Sequence, residues 1–195
     1  MEFSERQKQI INVAIKIVAD KGIQNLTTKN IAKDLDLSEA ALYRHFKNKL
    51  EIIKSIISFF EQKIKQMTKT LDSNEKPLSQ IKKFVLAHFK IFRDYPEMAQ
   101  VMFSESNFQN EANLKEQVLH VMNRSRDSLE AVIKKGQQDG NINNEISSLN
   151  LFRIIIGSMR LLVTQWSLSG RIFNLETEGK QLWNDLEKIV AGSLE

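Results

Sequence analysis

The 195-residue chain contains no cysteine, which excludes a disulfide framework, a thiolate metal site and a cysteine nucleophile. Histidine is almost as scarce: His45, His88 and His120 stand far apart, none is paired at i and i+4, and no metal site is expected. The only prolines are Pro77 and Pro96, which favours long helices over a turn-rich architecture. No stretch reaches 18 consecutive apolar residues, and the start of the chain lacks the basic, apolar and small-residue order of a secretory signal. The expected location is the cytoplasm. A glycine-rich phosphate loop and a G-x-S-x-G turn are also missing. The chain is therefore read as not an enzyme, with no cofactor.

What is present is a globular composition, 42% hydrophobic and 27% charged, long enough for one large or two small domains around a buried core. The net charge of +4 is unevenly placed. Residues 1–70 carry 13 Lys/Arg against 8 Asp/Glu, an excess of +5, whereas the remainder carries 15 against 16, or −1. Such an excess arises easily by chance, yet it has the sign expected if the N-terminal part meets a polyanion.

The most informative stretch is TTKNIAKDLDLSEAALYRHFKNK, Thr27 to Lys49. Thr27 suits a helix N-cap, and Ile31, Ala32 and Leu35 then share one face. Asp36 and Leu37 break the period, and Ser38 offers a second cap. Leu42 and Phe46, four apart, form the inward stripe of a second helix whose outward side is Glu39, Ala40, Ala41, Tyr43, Arg44 and His45. Two short helices around a tight turn, too short to stand alone, follow helix-turn-helix logic, spanning about 27–46.

The same residues resemble the N-terminal signature of the TetR family of bacterial transcriptional regulators. Thr27-Thr28-x-x-Ile31-Ala32, Leu37-Ser38, Leu42-Tyr43-x-His45-Phe46 and Phe46-x-x-Lys49 match in register. Asp36 stands where many members carry glycine, and Asp tolerates the left-handed conformation better than most residues. A first helix with Ile10, Ala14, Ile17 and Val18, stopped at Gly22, extends the resemblance to about Ile10–Lys49.

Beyond Lys49 the apolar positions step by threes and fours from Leu50 to Leu71, a helix of roughly 30 Å. Further helical segments are expected at Ser79–Arg93, from Pro96 through Phe103, and from Leu114 to a stop near Gly136 and Gly140. The turn Gly136–Ile142 is a weaker family match. Leu149–Leu168 is apolar nearly all round, with Gly157 and Ser158 in its middle, and the last helix has a wide stripe. The expected architecture is all-α, about nine helices: a helix-turn-helix DNA-binding domain at 1–47 and a helical ligand-binding and dimerisation domain at 48–195. A homodimer interface is expected at Ile155, Gly157, Ser158, Leu162, Leu182, Leu186 and Ile189, packing as a four-helix bundle.

For DNA, the candidate residues are Thr27, Thr28, Ser38, Glu39, Ala40, Ala41, Tyr43, Arg44, His45, Lys47 and Lys49. Thr28 either binds a phosphate or supports the Thr27 cap; the resemblance implies the phosphate, and makes Lys49 a backbone clamp. Tyr43 and His45 are read as facing phosphates. Only Glu39 and Arg44 are long enough to read base edges richly, so much of the specificity is expected from DNA shape and half-site spacing. The resemblance also implies a small-molecule pocket, for which Phe89, Phe92, Met102, Phe103, Met122, Phe152, Met159, Arg160 and Trp166 are candidates. Apolar walls suit a lipophilic effector. Arg160 either meets an effector's acid group or reaches the surface. The function expected is a homodimeric, ligand-responsive repressor of a palindromic double-stranded operator. The alternative is a DNA-organising or protein-recruiting helix-turn-helix protein without an effector.

Overall fold

The computed structural model describes residues 3–68, 75–99 and 112–191, and these are helical with no strand among them. Among the described residues the α-helices include, in order, α1 Glu5–Lys21, α2 Thr28–Asp34, α3 Glu39–Tyr43, α4 Lys49–Thr68, α5 Pro77–Asp94, α6 Ala112–Gln138, α7 Ser148–Leu168 and α8 Leu175–Ala191. A single 3-10 turn, Ile23–Asn25, joins α1 to α2. Residues 97–99 are also helical after Pro96, and the rest of the helix expected there lies outside the described residues.

The chain divides into two compact units, Met1–Gln62 with Glu97–Leu119, and Lys63–Pro96 with His120–Glu195. In the first, α1 is started by a reciprocal cap. The Ser4 hydroxyl accepts from the Gln7 amide at 3.2 Å, and the Ser4 amide donates to the Gln7 side chain at 3.0 Å. From α1, Ile10, Ile11, Ala14, Ile17 and Val18 enter a core shared with Leu26, Ile31, Leu42 and Phe46, joined by Ile52, Ile53, Ile56 and Ile57 of α4. The Phe3 ring lies 6.5 Å from that of Phe59, tying the entry of α1 to α4.

In the second unit α5 and α8 pack closely, and one glycine permits it. A Cβ on Gly179 would stand 2.7 and 2.8 Å from Cγ and Cε2 of Phe89 and closer still to Cδ2, so the two helices meet only because α8 carries no side chain there. Arg93, late in α5, forms an ion pair with Glu176 in the first turn of α8. At the end of α6 the chain folds back over Gly136, whose Cβ would meet Ile142 Cγ1 at 2.6 Å and Pro77 Cβ at 2.9 Å. The Gln137 amide nitrogen then donates to the carbonyls of Asn143 and Ile146, at 2.7 and 2.8 Å. The Asn143 amide donates to the Val190 carbonyl at 2.8 Å, satisfying an otherwise orphaned acceptor at the end of α8.

His88 is a packing residue of this unit. It is 7% exposed, with its ring 4.2 Å from that of Phe84 and Nδ1 2.8 Å from the Phe84 carbonyl, which therefore accepts from an Nδ1–H tautomer. Burial lowers its pKa from 6.5 to about 4, opposed by the Phe84 bond. The folded imidazole stays neutral while the unfolded one takes a proton near 6.5. The contribution to stability is thus complete above pH 6.5 and is lost as pH falls towards 4, by about 3 kcal/mol at 1.36 kcal/mol per unit. Urea midpoints measured from pH 7 to pH 4 are expected to fall more steeply for the natural chain than for His88→Leu.

Candidate nucleic-acid interface

The helix-turn-helix is built from two caps and one strained turn. Thr27 Oγ1 accepts from the Asn30 amide at 3.1 Å to start α2, and Ser38 Oγ accepts from the Ala41 amide at 3.2 Å to start α3. Between them Asp36 adopts φ +52°. The Asp36 amide donates to Lys33 at 3.3 Å and the Leu37 amide to Ala32 at 2.8 Å, the paired bonds of a helix end closed by a left-handed residue. Glycine would adopt that conformation without a Cβ penalty. Asp36→Gly is accordingly expected to stabilise the protein by about 0.5–1 kcal/mol, read as a higher thermal midpoint with DNA affinity unchanged.

α3 is shorter than its apolar spacing predicts. It ends at Tyr43, with Arg44 as its C-cap, yet the Phe46 amide still reaches the Leu42 carbonyl at 3.1 Å, so Leu42 and Phe46 are both buried as expected. The outward positions divide into two kinds. Ser38, Glu39, Ala40, Tyr43 and Arg44 are exposed, as are Thr27, Lys47 and Lys49, and Tyr43 is 50% exposed. Ala41 and Thr28 are half-buried. His45 departs from its expected place on the outer face of the helix: it lies beyond the end of α3, is half-buried, and its carbonyl accepts from Gln7 at 3.4 Å.

Three of the candidates touch across the motif. Thr28 Oγ1 donates to Glu39 Oε2 at 2.7 Å and lies 3.5 Å from the Tyr43 hydroxyl. Lys49, predicted as a backbone clamp, donates to the Ile23 carbonyl at 3.2 Å, so its ammonium braces the start of α4 against the 3-10 turn.

In the second unit the candidates for effector binding are dispersed. Phe89, Phe92, Met159 and Trp166 are buried, and Phe152 and Arg160 are half-buried. Trp166 donates its indole N–H to the Phe173 carbonyl at 3.1 Å. Met122, on α6, is 52% exposed. Met102 and Phe103 lie outside the described residues. A cavity of about 540 Å³ does open along α5 and α8, lined by Lys83, Leu86, Ala87, Phe89, Lys90, Glu176 and Lys180. Of the predicted residues that are described, Phe89 alone lines it.

The expected dimer residues are also redistributed. Ile155 and Leu186 are 0% and 3% exposed and belong to the chain's own core, which corrects their assignment to an interface. Gly157 and Ile189 are exposed, while Ser158, Leu162 and Leu182 are half-buried. Sequence reasoning missed the most exposed large apolar side chains among the described residues: Leu161 at 59%, Leu168 at 83% and Ile172 at 81%. On α7 the steps Gly157, Leu161 and Leu168, four and seven apart, align them on one side, a signal present in the spacing but hidden because the helix is apolar nearly all round. No helix among the described residues is long and apolar enough to cross a membrane.

With this geometry in place, comparison with known proteins is informative. Residues 10–56 match the bacterial regulatory proteins of the tetR family, and residues 53–189 match the C-terminal region of YsiA-like proteins. The fatty acid metabolism regulator protein of Bacillus subtilis is 23% identical over 188 residues, covering 94% of this chain and 93% of its own. The nucleoid occlusion factor SlmA of Haemophilus influenzae is 23% identical over 194 residues, covering 96% of this chain and 87% of its own. Among solved structures, FadR of Bacillus subtilis in complex with stearoyl-CoA superposes with TM-score 0.83 at 21% identity, over 93% of this chain and 98% of that one. The ketosteroid regulator KstR2 of Mycobacterium tuberculosis gives 0.82 at 16% identity, over 98% of both chains. A helix-turn-helix with an open outer face, carried by a chain matched along most of its length, places this protein in the tetR family of bacterial regulatory proteins, DNA-binding regulators of transcription.

Proposed function

We propose that the protein is a homodimeric repressor that grips a palindromic operator through residues 1–47 and lets it go when a small lipophilic effector binds within residues 48–195. The observation that carries this reading is the combination, in one chain, of an outer helix-turn-helix face presenting Ser38, Glu39, Ala40, Tyr43, Arg44 and Lys47 with a stripe of uncovered apolar side chains on and after α7. The first supplies one half-site reader, and the second supplies a reason for two chains to associate, so two readers face two half-sites. Thr28 and Tyr43 then position the motif on phosphates, Ala41 lies against the groove, and Glu39 and Arg44 read base edges.

The effector must prefer one state of the dimer, because a ligand bound equally by both states shifts nothing. α4 runs from the helix-turn-helix to the second unit, which takes in its end from Lys63. It is therefore the element through which such a preference reaches the reader. A fatty acyl compound is the effector class favoured, since a relative of this fold was solved with stearoyl-CoA.

The test is an unbiased selection of genomic fragments by the purified protein, with Tyr43→Ala as the control, followed by titration of the recovered duplex with long-chain acyl-CoA. A short palindrome, lost in the variant and released by acyl-CoA, is the expected result. A second reading, a DNA-organising role without an effector, is favoured by the SlmA relative that covers 96% of this chain. Many spaced sites with no release by any acyl compound would establish it instead.

A further inference from the structure

We propose that Glu39 is a specificity gate that holds Thr28 out of use on the wrong DNA; this rests on the reading of the chain as an operator-binding protein. Glu39 is the only acidic residue of α3, and it stands exposed on the face read as meeting the nucleic acid. A carboxylate there is paradoxical, because a phosphate backbone repels it and each approach of the motif to DNA must overcome that repulsion. The carboxylate has a partner within the motif: it accepts from the Thr28 hydroxyl at 2.7 Å, with the Tyr43 hydroxyl 3.5 Å from the same oxygen of Thr28. The two hydroxyls best placed to donate to phosphate thus sit beside a negative charge, and one of them is already spent on it.

For Thr28 to donate to a phosphate, the Glu39 carboxylate has to leave and find other donors. In a major groove it finds them only where a base presents an exocyclic amino group, cytosine N4 or adenine N6. On such a half-site the exchange is balanced: the carboxylate gains a base donor and Thr28 gains a phosphate. On a duplex without that amino group at the facing position, the carboxylate stays on Thr28 or stands unpaired near phosphates, and binding is weakened. Discrimination then comes from a penalty on the wrong sequence as much as from a contact with the right one.

The experiment measures binding of the full-length protein, by fluorescence anisotropy at fixed salt, to its selected operator duplex and to a scrambled duplex of equal length. Glu39→Gln keeps the size and leaves the Ser38 cap in place but removes the charge. It is expected to bind the scrambled duplex roughly tenfold more tightly while losing affinity for the operator, so that the ratio of the two affinities falls by roughly tenfold or more. Thr28→Val is expected to weaken the operator and to leave the scrambled duplex nearly unchanged, since only on the operator is the Thr28 hydroxyl released to meet a phosphate. Thermal midpoints close to that of the natural chain verify that both variants fold. A Glu39→Gln protein that moves both affinities by the same factor overturns the gate. If the natural protein binds neither duplex, the operator-binding reading itself fails, and the gate with it.

Discussion

A chain carrying Leu161→Glu and Leu168→Glu is expected to be a folded monomer whose operator affinity has fallen by a factor of about 10²–10⁴. Leu161 and Leu168 are 59% and 83% exposed within one chain, and Ile172 and Ile189 add exposures of 81% and 42%. Large aliphatic side chains this open are unusual, Leu161 and Leu168 share one side of α7, and a second copy of that side is the simplest cover. Because none of these residues belongs to the chain's own core, replacing two with glutamate leaves the fold's packing intact. Between two copies, however, each carboxylate would be desolvated without a partner, at several kcal/mol. Loss of the dimer removes the effective concentration that makes the second half-site easy to bind, which is the origin of the expected drop.

Light scattering and operator binding measured on the same sample test both parts. Gly157→Leu is a second probe: nothing lies within 4 Å of where its Cβ would stand, so inside one chain the substitution meets open space and improves helix propensity. It is expected to harm only the association. A double-glutamate protein that remains dimeric with unchanged affinity would place the interface elsewhere.

The second large effect is at the crossing of α5 and α8. Gly179→Ala would ordinarily stabilise a helix by about 1 kcal/mol. Here the added methyl would stand 2.7 Å from Cγ of the Phe89 ring, which is 1% exposed. Overpacking at the base of a ring costs up to about 3 kcal/mol, so the clash exceeds the gain in propensity and the net loss is about 1–2 kcal/mol. For a chain of this size that corresponds to a thermal midpoint lower by about 2–8 °C. The diagnostic is the double variant Gly179→Ala with Phe89→Leu, which frees space at the same point. It is expected to be more stable than the sum of the single effects, a coupling measurable as a double-mutant cycle by urea unfolding. Additive losses would show that Phe89 does not set the limit.

Most of the reading head is legible in the sequence because its signals are local. Thr27 and Ser38 cap helices through hydroxyls that reach amides three residues on, and Asp36 takes the left-handed conformation that its place between two helical periods demands. Leu42 and Phe46 bury themselves at the spacing that an i to i+4 contact requires. Short-range chemistry of this kind depends on neighbours along the chain, and these are all visible in one line of text. The all-helical class follows in the same way from scarce proline and the repeated three-and-four spacing.

Partners distant in sequence were a different matter. That Thr28 would meet Glu39, that Lys49 would brace the Ile23 carbonyl, and that Gly179 would lie against Phe89 depend on where whole helices cross, which periodicity does not encode. The same holds for α7. Its sequence is apolar on nearly every side, so composition alone cannot tell which side faces the chain's own core. The fold assigns Leu151, Ile155, Met159 and Val163 inward and leaves Leu161 and Leu168 outward. Sequence determined that this protein has a DNA-reading motif, its caps and its turn, because hydrogen bonds over three to five residues decide them. Only the tertiary structure decided which apolar face is spent on the core and which is left exposed, because that choice is made by helix packing across the whole unit.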